Sequence, residues 1–325
     1  MSWSSVLIIL AIFLGTFVEY TISDAPNFVS GFGLTVLSSS QLNNRLYEVI
    51  VSSQEVRGNQ TVRIFVPSDY ATSGATRRYP VLFLLHGATD DATAWTVKGD
   101  SQNITANASL ITVMPNGDPY GFYTNWVIPG VEAPQNWETY HMQQLVPWID
   151  LNLRTVAKKE GRAIAGLSMG GYGSMHYAEK YCDNFIYAAS FSGAVDILDS
   201  RLQQGILNTP TPDKKPFVGP FGYPSTPIDS NGWFIEDTIT HVTQFRNISI
   251  ALYTGNAGDL ESLLRDGSYR LRNLLVLFNI PLYFNDYGDG QSIGHGCDGG
   301  HHWPCWQATL IDVLPRMMAV LQQQH

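Results

Sequence analysis

A chain of 325 residues suits one large α/β domain or two smaller ones, and 44% hydrophobic residues supply ample material for a core. The formal net charge of −9, with no Lys/Arg run to offset it, argues against a phosphate-binding surface, so nucleic acid is not expected as a partner.

The first feature along the chain is the apolar stretch Val6 to Val18, flanked by Ser4-Ser5 and Glu19-Tyr20. Its length matches a signal-peptide h-region and falls short of the roughly twenty residues that span a bilayer, although the n-region carries no Lys or Arg. Residues 1–25 are therefore read as a secretory signal, with an uncleaved membrane anchor as the alternative, and the folded domain is expected over residues 40–325. Secretion would make the sequons at Asn59, Asn103, Asn107 and Asn247 acceptors for glycans. It would also make a local disulfide sensible between Cys297 and Cys305, which bracket a glycine- and histidine-rich loop, leaving Cys182 alone.

Beyond the leader, Leu46 to Val51 and Thr61 to Val66 read as a first hairpin. Val81 to Leu85 is a continuous apolar run ending in His86-Gly87, as for a strand buried on both faces, and Leu110 to Met114 repeats the pattern. The residues Met142, Leu145, Ile149 and Leu153 predict a helix from about 137 to 153, which Pro147 should kink or start. Next come a strand around Ile164, a helix over 168–181, and strands at 186–191 and 248–253. A helix over 260–277, a strand at 282–287 and a closing helix over 306–321 complete the series. Strands alternating with helices predict an α/β fold, a mostly parallel, doubly wound sheet flanked by helices, with functional loops at the C-terminal ends of the strands. The Pro-, Gly- and Asn-rich stretch 194–245 reads as an irregular substrate-side insertion rather than a large separate cap domain, which gives one domain.

Gly166-Leu167-Ser168-Met169-Gly170 is a G-x-S-x-G motif placed between a predicted strand and a predicted helix. That context describes a nucleophile elbow of the α/β-hydrolase fold, in which small neighbours leave a serine hydroxyl exposed at a sharp turn. Composition alone could supply the bare motif, so Ser168 needs partners. A histidine base is expected after the last strand and a carboxylate before it. His301 and His302 fill the first slot. Asp259, in the loop after the strand ending near Tyr253, is the preferred acid, with Glu261 as fallback. The oxyanion hole is assigned to the backbone N–H groups of Met169 and Ala88. His86 reads as structural within that turn, and His141 and His176, in predicted helices, as packing or surface residues. His295, Cys297, His301, His302 and Cys305 have metal-ligand chemistry but no common zinc spacing, so no metal or cofactor is expected.

From about Tyr79 onward the chain resembles the esterase D-like branch of the α/β-hydrolases, which includes S-formylglutathione hydrolases, feruloyl-type esterases and secreted bacterial mycolyltransferases. The resemblance rests on Leu84-Leu85-His86-Gly87, Asp90-Asp91 with Trp95, Val113-Met114-Pro115-Asn116-Gly117 and Phe122-Tyr123-Thr124-Asn125-Trp126. Trp137-Glu138-Thr139-Tyr140, the elbow, and Phe185-Ile186-Tyr187-Ala188-Ala189-Ser190 add to it. So does His301-His302-Trp303-Pro304-Cys305-Trp306, similar to the family's H-x-W-x-x-W segment, which implies His301 as the base. The chain departs from the mycolyltransferases at His86 and Thr89, where they carry an acidic residue and an arginine, and at Asn125, where they carry aspartate. With the leader, the resemblance thus implies a secreted serine esterase acting on a small-molecule, lipid or glycan ester through an acyl-enzyme. Acyl transfer to an alcohol or sugar is the first alternative and a non-catalytic hydrolase-fold binding protein the second.

Overall fold

The computed structural model describes residues 25–211, 214–225, 227 and 231–322, so the expected leader, up to residue 24, lies outside the described residues. The strands among them are β1 (Thr35–Gln41), β2 (Leu46–Ser52), β3 (Asn59–Phe65), β4 (Val81–Leu85), β5 (Ile111–Pro115), β6 (Arg162–Leu167), β7 (Tyr187–Phe191), β8 (Ser249–Gly255) and β9 (Leu282–Gly288). They form a single sheet in the order β1-β2-β3-β5-β4-β6-β7-β8-β9. From β5 to β9 all neighbours are parallel, whereas β1, β2 and β3 pair antiparallel and β3 joins β5 antiparallel. This is the α/β-hydrolase architecture expected, with the predicted hairpin at its antiparallel flank.

The helices are α1 (Ala94–Val97), α2 (Ser101–Ile104), α3 (Val146–Asn152), α4 (Met169–Lys180), α5 (Ser200–Leu207), α6 (Gly232–Ile235), α7 (Asp259–Leu277) and α8 (Trp303–Met318). They cover both faces of the sheet, which explains why its central strands read as unbroken apolar runs. In β4, Val81, Phe83 and Leu85 enter the core shared with α3, α4 and α7. Leu82 and Leu84 enter the opposite core, beneath Trp306, Leu310 and Val313 of α8. The alternation is the period of two that a pleated strand imposes.

Three local differences from the sequence reading have physical causes. First, β1 was not expected, because TVLSSSQ is almost wholly exposed at the sheet edge and shows no apolar alternation. Second, packed chain begins before residue 40: Phe28 stacks on Trp148 at 5.8 Å, and the Trp148 indole N–H donates to the Val29 carbonyl at 2.8 Å. Third, the single helix expected over 137–153 is a π-helical segment, Thr139–Leu145, running into α3, with Pro147 in the first α-helical turn. Proline cannot donate to the preceding turn and collides with its carbonyl in regular α winding, which a wider turn relieves.

The insertion between β7 and β8 carries α5 and α6 and is pinned to α4 by a buried ionic cluster. The His176 ring, wholly buried, lies 3.4 Å from a Glu138 carboxylate oxygen and 3.2 Å from one of Glu236, with Glu179 3.7 Å from its other nitrogen. The Lys180 ammonium donates to Glu138 at 2.8 Å and to Glu236 at 3.2 Å. Burial works to depress the His176 pKa, but the surrounding carboxylates outweigh it and raise the value to about 9, while Glu138 falls to about 2. Glu138, His176 and Glu236 also have the donor atoms of a metal site. Here the imidazolium and the Lys180 ammonium supply the positive charge themselves.

A folded-state pKa raised above the ordinary histidine value near 6.5 gives stability that is complete below that pH and is lost as pH rises through about 9. Replacing His176 with leucine is expected to cost about 3–5 kcal/mol near neutral pH, since it strips a partner from buried carboxylates. Melting temperatures from pH 6 to 10 should fall more steeply for the parent than for the variant. Parallel profiles would show that His176 is not the cation of the cluster.

Candidate active site

β6 ends at Leu167 and α4 begins at Met169, so the whole reversal of direction is made at Ser168. Its backbone sits at φ 52° and ψ −117°, a region in which a residue bearing a Cβ is strained by about 1–3 kcal/mol. The turn closes only because its flanks lack side chains. A Cβ at Gly166 would lie 2.2 Å from the Gly170 carbonyl oxygen, and one at Gly170 would lie 2.5 Å from that of His86. The Ser168 N–H donates to the Phe191 carbonyl at 2.9 Å, locking the elbow to the end of β7.

The His301 side chain reaches this serine from the loop between β9 and α8. Its Nε2 lies 2.9 Å from Ser168 Oγ and its Nδ1 lies 2.8 Å from Glu261 Oε2. The ring packs edge-on against Trp306 at 4.9 Å. His302 turns away and pairs with Asp298.

The carboxylate at the end of this chain is Glu261, not the preferred Asp259. α7 starts at Asp259, so that residue is the first of the helix and is exposed. Two residues later the helix has turned by about 200°, which carries Glu261 inward. Glu261 is 0% exposed. Its Oε1 accepts from the Ser192 hydroxyl at 2.6 Å and from the Gly255 N–H at 2.8 Å. Burial alone would raise its pKa, but these donors together with His301 hold it below the usual carboxylate value. It is therefore an anion aimed at the imidazole N–H. Ser192, itself within 3.2 Å of the Tyr287 hydroxyl, went unread in the sequence because a lone serine after a strand carries no pattern.

The Gly87–Ala88 turn lies against the elbow, with an ideal Cβ at Gly87 only 3.4 Å from that of Ser168. Met169 supplies the first N–H of α4, one of the donors a helix start leaves without an intrahelical acceptor. His86 fastens the same turn. Its Nε2 accepts from the Gly117 N–H at 2.9 Å, so its Nδ1 carries the proton and donates to the Gly87 carbonyl at 2.8 Å. Burial depresses its pKa and keeps it neutral. His141 is buried as well, between the Tyr177 hydroxyl and the Asn116 carbonyl, with its pKa pushed down to about 3.

Beside the turn, the Thr89 N–H donates to the Pro119 carbonyl at 2.8 Å, which brings the 119–128 loop to the site. Phe217 from the insertion contacts Tyr120, Phe122 and Trp126 of that loop. An aromatic cluster thus joins the insertion to the loop that meets the Gly87–Ala88 turn. Cys297 and Cys305 form a disulfide, which removes both sulfurs from any metal-ligand set in the histidine loop.

The chain is similar to known proteins over most of its length. Residues 53–317 match the esterase family, described as "Putative esterase". An esterase of Mycobacterium tuberculosis strain H37Rv is 42% identical over 168 residues, spanning 51% of this chain and 36% of its own, so the match covers about a third of that relative. Diacylglycerol acyltransferase/mycolyltransferase Ag85B of Mycobacterium leprae is 28% identical over 260 residues, covering 74% of this chain and 76% of the relative. Among solved structures, a fluorophosphonate-binding serine hydrolase of Staphylococcus aureus superposes with a TM-score of 0.66 at 19% identity, covering 84% of this chain and 98% of that one, a likeness of fold.

Proposed function

Because the chain belongs to the esterase family, we infer that it hydrolyses carboxylic esters through Ser168, His301 and Glu261. The observation that carries this reading is the unbroken hydrogen-bonded chain from Ser168 Oγ to His301 to the buried Glu261, with steps of 2.9 and 2.8 Å. As Oγ attacks the ester carbonyl, His301 Nε2 takes its proton, and Glu261 fixes the tautomer and stabilises the imidazolium. The N–H groups of Met169 and Ala88 receive the oxyanion. His301 returns the proton to the departing alcohol, leaving an acyl group on Ser168. Water, deprotonated by His301, then releases the acid.

A second reading, transfer of the acyl group to an alcohol acceptor, draws on the likeness to Ag85B. Secretion is proposed with either, supported by the Cys297–Cys305 disulfide and by the exposure of Asn59, Asn103, Asn107 and Asn247. Among the described residues no helix is long and apolar enough to cross a membrane. One domain is proposed to carry the activity, with 194–245 shaping the substrate side.

Incubation with a p-nitrophenyl ester is expected to give steady release of p-nitrophenol, and a fluorophosphonate probe should add one mass label to the peptide bearing Ser168. Glycerol added as acceptor separates the two readings: hydrolysis leaves the free acid as product, whereas transfer diverts the acyl group to a glyceride. A folded protein that neither turns over ester nor takes the label would be a binding module instead.

A further inference from the structure

His301 lies at the centre of a small covalent ring. The disulfide joins Cys297 to Cys305 across a sequence separation of 8, which puts His301 four residues from each end. Cys305 is fully buried in the first turn of α8, whereas Cys297 is partly exposed. Between β9 and α8 the chain forms neither helix nor strand, and Gly290, Gly294, His295, Gly296 and Gly299 all take left-handed backbone angles. Few backbone contacts hold this loop. The Ala257 N–H donates to the Gly299 carbonyl at 2.9 Å, while the Cys297, Gly300 and His302 N–H groups find acceptors inside the loop itself. Beyond the His301 bonds to Ser168 and Glu261 and the packing of Ile293 and Cys297 on the core, the covalent tie to α8 is the restraint that fixes the segment on both sides of His301.

We propose that the Cys297–Cys305 disulfide is a redox lock on the base, a role that rests on His301 being the base. Closed, it holds the imidazole between Ser168 and Glu261. A dithiol opens it: one thiolate attacks Cys297 Sγ and expels the Cys305 thiolate. The second thiol then displaces Cys297 and leaves as a cyclic disulfide. Two electrons pass to the protein, and both cysteines end as thiols. The 291–302 segment then relaxes and His301 loses its register, while the sheet, the elbow and Glu261 remain in place because none of them depends on that bond.

The experiment treats the oxidised Cys182→Ser protein, in which one disulfide is the sole redox group, with dithiothreitol, and counts freed thiols by alkylation and mass. Opening the bond is expected to lower kcat for a p-nitrophenyl ester by about 10²-fold, the scale of a misplaced catalytic group, with KM changed less than about threefold. Near-UV circular dichroism should stay folded, and reoxidation should restore the rate. The Cys297→Ser/Cys305→Ser variant should start at the low rate and ignore the reductant. Full activity with both thiols free overturns the lock, and so does loss of tertiary signal on reduction. His301→Ala in the oxidised protein tests the underlying reading separately. If that variant is active, the base assignment fails; if it is inactive while the reduced parent is active, the lock alone fails.

Discussion

Ser168→Ala is expected to lower kcat for an activated ester by roughly 10⁴- to 10⁶-fold and to abolish fluorophosphonate labelling. The substitution is clean. The φ of 52° at this position already accommodates a Cβ, so alanine keeps the elbow and removes only Oγ. The lost partner is His301 Nε2, whose side chain is 16% exposed, so water can satisfy it and the fold should be unaffected. Residual activity would come from the oxyanion donors and substrate binding. Retention of the parent rate within tenfold, in protein with an unchanged melting temperature, would require another nucleophile.

The second large effect belongs to the acid. Glu261→Gln should cost about 10⁴-fold in kcat, whereas Asp259→Asn should stay within about twofold. Four donors converge on the Glu261 carboxylate: the His301 ring N–H on one oxygen, and the Ser192 hydroxyl, the Gly255 N–H and the Thr254 hydroxyl on the other. An amide has one oxygen and one NH2 group, so it can serve one side only by opposing a donor with a donor on the other. Turning its NH2 toward His301 would favour the wrong tautomer and leave Nε2 protonated, unable to act as base. Measuring kcat and KM for both variants with one p-nitrophenyl ester decides the point. A fall confined to Asp259→Asn would return the acid role to the helix start.

The contrast between Asp259 and Glu261 shows where the sequence is legible and where it is not. The central strands, the elbow and the histidine loop could be read because their constraints are local: apolar runs, a glycine pair two residues either side of a serine, and a histidine in a loop. The acid depended on where α7 begins and which way it faces. Its buried stripe runs through Leu264, Ser268, Leu271 and Leu275, at steps of three and four. Continued one step toward the N-terminus, the stripe lands on Glu261. A carboxylate on the apolar face of a helix was therefore a readable signal that loop position outweighed. β1 gave no such signal, since backbone pairing alone recruits a polar strand to a sheet edge. Ser192 and the carboxylates around His176 became meaningful only once distant segments were brought together.

The insertion has a consequence for how selectivity could diversify. It leaves the sheet after β7 and returns at β8, two strands whose parallel pairing from Tyr187↔Ser249 to Phe191↔Tyr253 is complete without it. It is fastened to the scaffold by the charged socket at His176, by ion pairs of Arg270 with Asp196 and Asp199, and by the aromatic contacts of Phe217 and Phe221. Laboratory evolution confined to residues 194–245, with those contacts held constant, should sample new ester preferences while the bond-breaking residues keep their spacing.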